Sequence, residues 1–402
     1  MICEYSRCTG CGACRNICPK NAIKMEENIE GFLVPRIDEE KCIKCNMCIK
    51  VCPANRMREK NTNVMKVYAA YNNNFNEVMK GSSGGIFSIL AKKIKEKGGY
   101  VCGCIFDNDI RAMHIISNEN DKIDKMQKSK YVQSYTGTIF REIREKLNQG
   151  KEVLFSGTPC QADGLRNFLG KDYEKLYIVD IVCHGVPNQK LLDEHIKWLE
   201  KKYGKLQYVD FRHKVKNDVN SQNLLYKFEK KEKLIKNYEL DPYYKAFYNA
   251  LVYRESCYKC QYANCNRVGD ISIGDFWGVE KYHPNLANKK GISLVLINNA
   301  KGERIFNEYI KDNAICEESK LEYARKYNNN LNCPVERKSN RDTIFKDLNE
   351  KGYQYIVENY LTPKGYWKIK IKSYIPMKLK RSFYKILKIC TKNTPLPGAK
   401  KK

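Results

Sequence analysis

Cys8-Thr-Gly-Cys11-Gly-Ala-Cys14-Arg-Asn-Ile-Cys18-Pro19 and Cys42-Ile-Lys-Cys45-Asn-Met-Cys48-Ile-Lys-Val-Cys52-Pro53 are two copies of one C-x2-C-x2-C-x3-C-P run. That spacing wraps a 4Fe-4S cube: three closely spaced thiolates face one cluster and the fourth crosses to the other. Cys8, Cys11, Cys14 and Cys52 are expected on one cube, and Cys42, Cys45, Cys48 and Cys18 on the second. Gly10 and Gly12 supply positive-φ freedom and amide donors toward sulfur. In the second copy Asn46 stands in place of a glycine, and asparagine tolerates the left-handed region well. A pair of zinc sites is the rival reading. Zinc needs four ligands per site, however, and has no use for a third C-x2-C step and a C-P in each run.

A second set of reactive residues falls in the loops of an alternating pattern. Gly81-Ser82-Ser83-Gly84-Gly85 opens into a helical period of Ile86, Phe87, Leu90, Ala91 and Ile94, stopped by Gly98-Gly99. Free amides and the helix dipole at such a start favour an anion such as a cofactor phosphate, although Gly and Ser also simply make turns and caps. Segments 153–155 and 176–182 read as strands. They end in Ser156-Gly-Thr-Pro-Cys160 and Cys183-His184-Gly-Val-Pro187. Strands are also expected at 22–25, 31–35, 67–71, 100–106, 208–212, 224–228 and 292–297, and helices at 139–147, 191–202, 242–251 and 303–310. Strand, glycine-containing loop and helix in repetition predict a parallel or mixed α/β sheet, whose strand carboxyl ends collect the chemistry. His184 is a proton donor for two-electron chemistry in one reading and a partner of a loop carbonyl in the other. Asp270 and Asp275 either cap turns or bind a ligand hydroxyl.

The chain has 402 residues, 19 cysteines and a formal charge of +27. No run of about 18 apolar residues predicts a membrane span, and Met1-Ile2-Cys3-Glu4 does not read as a signal peptide. The cysteines therefore point to metal chemistry in a reducing cytoplasm rather than to disulfides. Residues 364–402 hold 13 Lys or Arg and no acid. Within them Leu379, Phe383, Ile386, Leu387 and Cys390 share one helical face, opposite Lys378, Arg381, Lys385, Lys388 and Lys392. Such a basic amphipathic helix suits an anionic membrane surface, a partner groove, or docking on its own domain.

Six segments, taken in order after the two-cluster module, resemble the coenzyme F-420 hydrogenase/dehydrogenase beta-subunit family over about residues 1–300. They are Ser82-Ser-Gly-Gly-Ile-Phe87, Ser129-Lys-Tyr-Val-Gln-Ser134, Ser156-Gly-Thr-Pro-Cys-Gln161, Cys183-His-Gly-Val-Pro187, Phe211-Arg-His-Lys214, and Cys257-x2-Cys260 with Gly274-Asp-Phe-Trp-Gly278. The resemblance implies an iron–sulfur flavoprotein that passes electrons between clusters and FAD (or another flavin), then to a second redox partner. In the archaeal members that partner is a deazaflavin coenzyme. By motif match Ser82, Ser83, Gly84, Gly85 and Lys130 would contact the flavin, with Lys130 able to stabilise its anionic reduced form by charge. Cys160, Cys183, Cys257 and Cys260 stand at family-typical positions for a third 4Fe-4S cube, against a zinc site or unligated buried cysteines. Cys265 is additional to the family pattern, and Asn188 replaces an expected serine. Cys102, Cys104, Cys316, Cys333 and Cys390 read as packing residues, and Cys3 lies off the regular spacing.

The expected organisation is a two-cluster ferredoxin-type domain at 1–56, a linker at 57–66, an α/β flavin-binding domain at 67–320 and a basic, partly helical extension at 321–402, an α+β or α/β chain in class. The expected function is a flavin-dependent iron–sulfur oxidoreductase with His184 and Lys130 in catalytic roles. It would exchange electrons with a ferredoxin-like or other redox protein and act on a small-molecule substrate. Cytoplasmic placement is expected, with the tail able to reach the inner membrane surface. Two alternatives differ in class: an electron-transfer subunit without its own substrate, and a metal-stabilised protein that binds nucleic acid or a membrane surface. The absence of an RNA-binding aromatic motif and of zinc-finger histidine spacing weighs against nucleic acid.

Overall fold

Short hydrophobic runs with local turn signals build most of the elements. The computed structural model describes residues 1–56, 58, 63–215, 218–230, 234–286, 291–363 and 365–367; the amphipathic segment expected at 378–392 lies outside them. The N-terminal module carries α1 (Ala13–Ile17), the hairpin β1 (Ile23–Glu27) and β2 (Leu33–Ile37), and α2 (Met47–Lys50). There follow β3 (Lys66–Asn72), α3 (Phe75–Lys80), α4 (Ile86–Glu96), β4 (Tyr100–Phe106), β5 (Ala112–Ser117), α5 (Asn120–Met126), α6 (Ile139–Asn148), β6 (Val153–Gly157), α7 (Pro159–Leu169), β7 (Leu176–Ile181) and α8 (Gln189–Tyr203). Next come β8 (Leu206–Val215), β9 (Asp218–Phe228), β10 (Leu234–Asn237), α9 (Pro242–Tyr248), β11 (Ile271–Asp275), β12 (Ser293–Ile297), α10 (Ala300–Ile305), β13 (Ala314–Ser319), α11 (Leu321–Tyr327) and α12 (Arg341–Ile356), which is interrupted at Gly352.

The expected mixed sheet is present, with eight strands in the order β13-β3-β12-β11-β7-β6-β4-β5. Its centre, β4, β6, β7 and β11, is parallel. Those central strands are buried on both faces and so read as unbroken apolar runs rather than alternating ones. Period-2 side chains split the core. Leu154, Val179, Ile271 and Val295 meet Leu90 and Ile94 of α4 and Ile305 of α10. Val153, Phe155 and Ile178 meet Phe140 and Ile143 of α6 and Leu165 and Phe168 of α7 on the other face. A smaller antiparallel sheet, β10-β9-β8, packs with α8, α9 and α12 in a third core.

The segment after residue 320 differs from an appended extension through Leu361. Ile344, Phe345, Leu348, Ile356 and Leu361 are buried in the same core as Phe211 and Tyr226. Arg341, 1 % exposed, makes a bidentate pair with Glu30 of the β1–β2 turn at 2.7 and 2.9 Å and donates to the Tyr253 carbonyl at 2.9 Å. Removing one partner of such a pair strands the other charge. Arg341→Met is therefore expected to cost about 3 kcal/mol, read as a lower denaturant midpoint together with faster proteolysis near the β1–β2 turn. Among the described residues no helix is long and apolar enough to cross a membrane.

Candidate metal centres and cofactor cavity

The positive-φ positions anticipated in the cysteine runs are adopted. Gly10, Gly12 and Asn46 have φ of +66°, +80° and +60°, and the latter two begin α1 and α2. Cys8, Cys11, Cys14 and Cys52 are all buried and line one small cavity. Their proximity is electrostatic as well: burial raises Cys11 to about 12, and the neighbouring Cys52 and Cys8 push in the same direction. This is a donor set that fits a cube, because metal binding supplies the charge that uncompensated thiolates lack. Cys42, Cys48 and Cys18 are half-buried and Cys45 is exposed, so the second set faces solvent. The spacing argument passed over Cys3. It hydrogen-bonds with Cys52 and Cys8 and lines the first cavity.

The module is docked rather than tethered. Thr136 Oγ1 donates to the Cys11 carbonyl at 3.0 Å, and Arg141 donates to the carbonyls of Asn16 and Cys18, each at 2.6 Å. Gly164 of α7 lies so close that a Cβ there would stand 2.9 Å from Cys11 Sγ.

A cavity of about 590 Å³ opens at the carboxyl ends of β4, β6, β7 and β11, where open α/β sheets bind ligands. Cys160, Cys183, Cys257 and Cys260 line it from three separate loops. Burial raises Cys183 to about 12, and the adjacent Cys160 and Cys260 add to the shift. Burial likewise raises Cys160 to about 11, opposed by a hydrogen bond with Thr158 at 3.1 Å. Among the described residues no group of three or more His, Cys, Asp or Glu is arranged to hold a single metal ion; a cube asks for a wider array than a mononuclear site. Because these thiols are protonated at neutral pH, metal uptake must expel their protons. Iron retention by this set against a chelator is therefore expected to strengthen from roughly pH 6 to pH 9, measured as iron per chain after competition. Cys265 points elsewhere: its Sγ donates to the Leu331 carbonyl at 3.3 Å in a separate core.

The Ser/Gly loop divides in two. Ser82, Ser83 and Gly85 line the cavity, and Gly85, with φ of +78°, begins α4 without a side-chain cap. The uncapped start of an 11-residue helix, open to the cavity, is a polar cradle for an anion. Gly84 instead lies behind the wall. Its amide donates to Ser293 Oγ at 2.9 Å, and a Cβ there would meet Ala70 O at 2.5 Å. It is glycine because two strands pass beside it, and the expected flavin contact at this residue is replaced by a packing role. Ser82 Oγ accepts from the Ser129 amide at 2.7 Å, and Ser83 Oγ donates to the Ile292 carbonyl at 2.9 Å.

Lys130 lines the cavity, but its ammonium donates to the carbonyls of Lys125, Gln127 and Lys128 at 2.7, 2.6 and 3.2 Å. All three N–H donors are engaged, so Lys130 offers the cavity a fixed charge and no hydrogen bond. Burial lowers its pKa to about 8. His184 opens into the cavity and makes no hydrogen bond among the described residues, leaving both ring nitrogens for a ligand. Burial lowers its imidazole below the ordinary value, with Asp275 opposing. Asp270 is structural: it binds the Ile178 amide at 2.7 Å and Arg166 at 2.9 Å. Asn188 caps α8 through the Leu191 amide at 2.7 Å. Cys104 lines the cavity and Cys333 is exposed, so neither is simply a packing residue.

Motif matching named Arg212 only as part of a segment. Its guanidinium donates to Asp275 at 2.8 Å, to Tyr131 OH at 3.2 Å and to the Ser82 carbonyl at 3.4 Å, joining β8, the end of β11 and the Ser/Gly loop. Arg254 carried no sequence signal at all.

The paired cysteine sets place the chain among iron–sulfur electron-transfer proteins. Residues 7–56 and, overlapping, 34–86 match models described as 4Fe-4S dicluster domain. Residues 150–322 match the model for the C terminus of the coenzyme F420 hydrogenase/dehydrogenase beta subunit, and the chain belongs to that family. A solved structure, the xenon-derivatised F420-reducing [NiFe] hydrogenase complex from Methanosarcina barkeri, is similar at 17% identity and a TM-score of 0.44, covering 75% of this chain and 94% of that one. No curated protein matches significantly.

Proposed function

We propose that the protein is an iron–sulfur flavoprotein oxidoreductase. Electrons move between a solvent-facing cube on Cys42, Cys45, Cys48 and Cys18, a buried cube on Cys8, Cys11, Cys14 and Cys52, a third cube on Cys160, Cys183, Cys257 and Cys260, and a flavin in the adjoining cavity. The observation that supports it is the junction. Four cysteines from three loops form part of a cavity wall that also carries an uncapped helix start, Lys130 and Arg212. The volume of about 590 Å³ falls within the range of about 300–1,000 Å³ common for small-molecule and cofactor sites.

A bound flavin supplies two-electron chemistry, which is the reason to join it to one-electron cubes. The residues of this chain do the rest. Ser82, Ser83 and the amides after Gly85 bind the cofactor. Lys130 and Arg212 hold positive charge at the wall, and His184 holds a proton near the substrate. Exposed Ile43 and Met47 beside Cys45 offer a contact for a ferredoxin-like or other redox protein. The substrate is a small organic molecule or a deazaflavin coenzyme, and the same chain of centres serves flow in either direction.

Protein purified without oxygen is expected to hold about twelve irons, matching sulfide and about one flavin per chain. About eight irons with flavin would remove the third cube. Iron without flavin would sink the cavity assignment, and zinc without sulfide would overturn the reading entirely.

A further inference from the structure

Arg254 is 3 % exposed, yet no carboxylate pairs with it among the described residues. Its Nε donates to the Cys8 carbonyl at 2.6 Å, Nη1 to Gln133 Oε1 at 2.9 Å, and Nη2 to the Leu33 carbonyl at 2.8 Å and to Cys8 Sγ at 3.5 Å. A guanidinium stays charged at any working pH. Burying one without an anion is strongly unfavourable. The negative charge nearest to it is the one that cluster thiolates would bring.

Arg254 also belongs to the other site. Its carbonyl accepts from the Cys257 amide at 2.9 Å, and its side chain reaches the cavity wall that Cys160, Cys183, Cys257 and Cys260 share. The two cysteine sets are neighbours across α7. Cys160 stands in its first turn and Gly164 presses on Cys11, a separation of about 6 Å along the helix. The guanidinium charge lowers both Cys8, where the hydrogen bond from Cys3 ranks first, and Cys160, where burial dominates in the opposite sense.

We propose that Arg254 is the shared counter-charge of the two centres on either side of it, raising the reduction potential of the Cys8 centre and of the Cys160 centre together. The inference rests on the cube assignments above. When a cube takes an electron its net charge becomes more negative by one, and a fixed cation with an N–H aimed at ligand sulfur stabilises that state more than the oxidised one. The step is the passage of one electron from one cube to the other. No bond forms or breaks, and the guanidinium neither gains nor loses a proton. Arg254 is a positioning residue for charge and touches no substrate. Without it, an electron on either centre would face its neighbour with no compensation.

The test is a redox titration of the full holoprotein followed by electron paramagnetic resonance, after iron and sulfide analysis of each sample. Arg254→Gln is expected to keep wild-type iron and to lower the midpoint of at least one of the two centres. The expected size is tenfold or more in electron partition, about 59 mV for a one-electron couple. Arg254→Lys, which keeps the charge and loses the fork, is expected to recover most of that shift. Gln133→Glu leaves the arginine in place and sets a carboxylate against it, so it is expected to lower the same midpoint even if Arg254→Gln fails to assemble. Midpoints unchanged in Gln133→Glu, or equal drops in Arg254→Gln and Arg254→Lys, would overturn the role of the charge while leaving the cubes intact. Wild-type protein lacking iron and sulfide would instead overturn the cube reading, and the inference with it.

Discussion

Replacing Cys183 by serine in the full chain is expected to remove about four of about twelve irons and to disconnect the cavity from external one-electron donors. Cys183 follows β7 and lies among the three other cysteines of its set. A cube held by three thiolates and a hydroxyl loses its strongest anchor at one corner, since serine does not ionise near neutral pH. The resonance signals of the two N-terminal cubes are expected to persist, because their ligands sit in a separate module closed by its own contacts with Thr136, Arg141 and Arg341. Flavin reduction by a reduced carrier protein is expected to fall by more than about 100-fold, the upper end of what loss of an outer-shell partner alone costs a metal site. Cys265→Ser is the matched control. That thiol bonds the Leu331 carbonyl away from the cavity, so iron content is expected to stay at the wild-type level. If Cys183→Ser retained full iron and full flavin reduction, the four cysteines would be ordinary buried thiols.

The contrast between these cysteine sets shows what is legible in a sequence. The N-terminal ligands lie within runs short enough that spacing alone dictates the wrap, and the left-handed positions at Gly12 and Asn46 follow from it. The third set spans about 100 residues and meets only because β6, β7 and the loop before β11 are neighbours in the sheet order. Spacing carries no such information; only the motif resemblance brought the four together. The central strands announced themselves as apolar runs, whereas edge strands β5 and β13 did not. Edge strands bury less, and β13 carries Glu317 and Glu318, which no local pattern marks as strand. Polar roles set by tertiary contact were the least readable. Gly84 is small because of Ala70 and Ser293 behind it, Lys130 is occupied by three carbonyls, and Arg254 is defined wholly by residues distant in sequence.

Arg212→Met is expected to cost about 3 kcal/mol of stability and to release most of the flavin, and a double variant separates the two effects. The arginine is 8 % exposed and pairs with Asp275 at 2.8 Å. Removing it leaves a carboxylate stranded in a largely buried wall, which is the costly way to break such a pair. Replacing both groups, as Arg212→Met with Asp275→Leu, removes the stranded charge and is expected to restore much of the stability, measured by the denaturant midpoint. Flavin retention follows a different logic. Arg212 holds the Ser82 carbonyl and contributes positive charge beside an uncapped helix start, and neither returns when Asp275 is also removed. The double variant is thus expected to be near wild type in stability and still poor in bound flavin, read from absorbance of the released cofactor per chain. A stable double variant carrying a full complement of flavin would confine Arg212 to a structural pair and move the cofactor's anionic end elsewhere in the cavity.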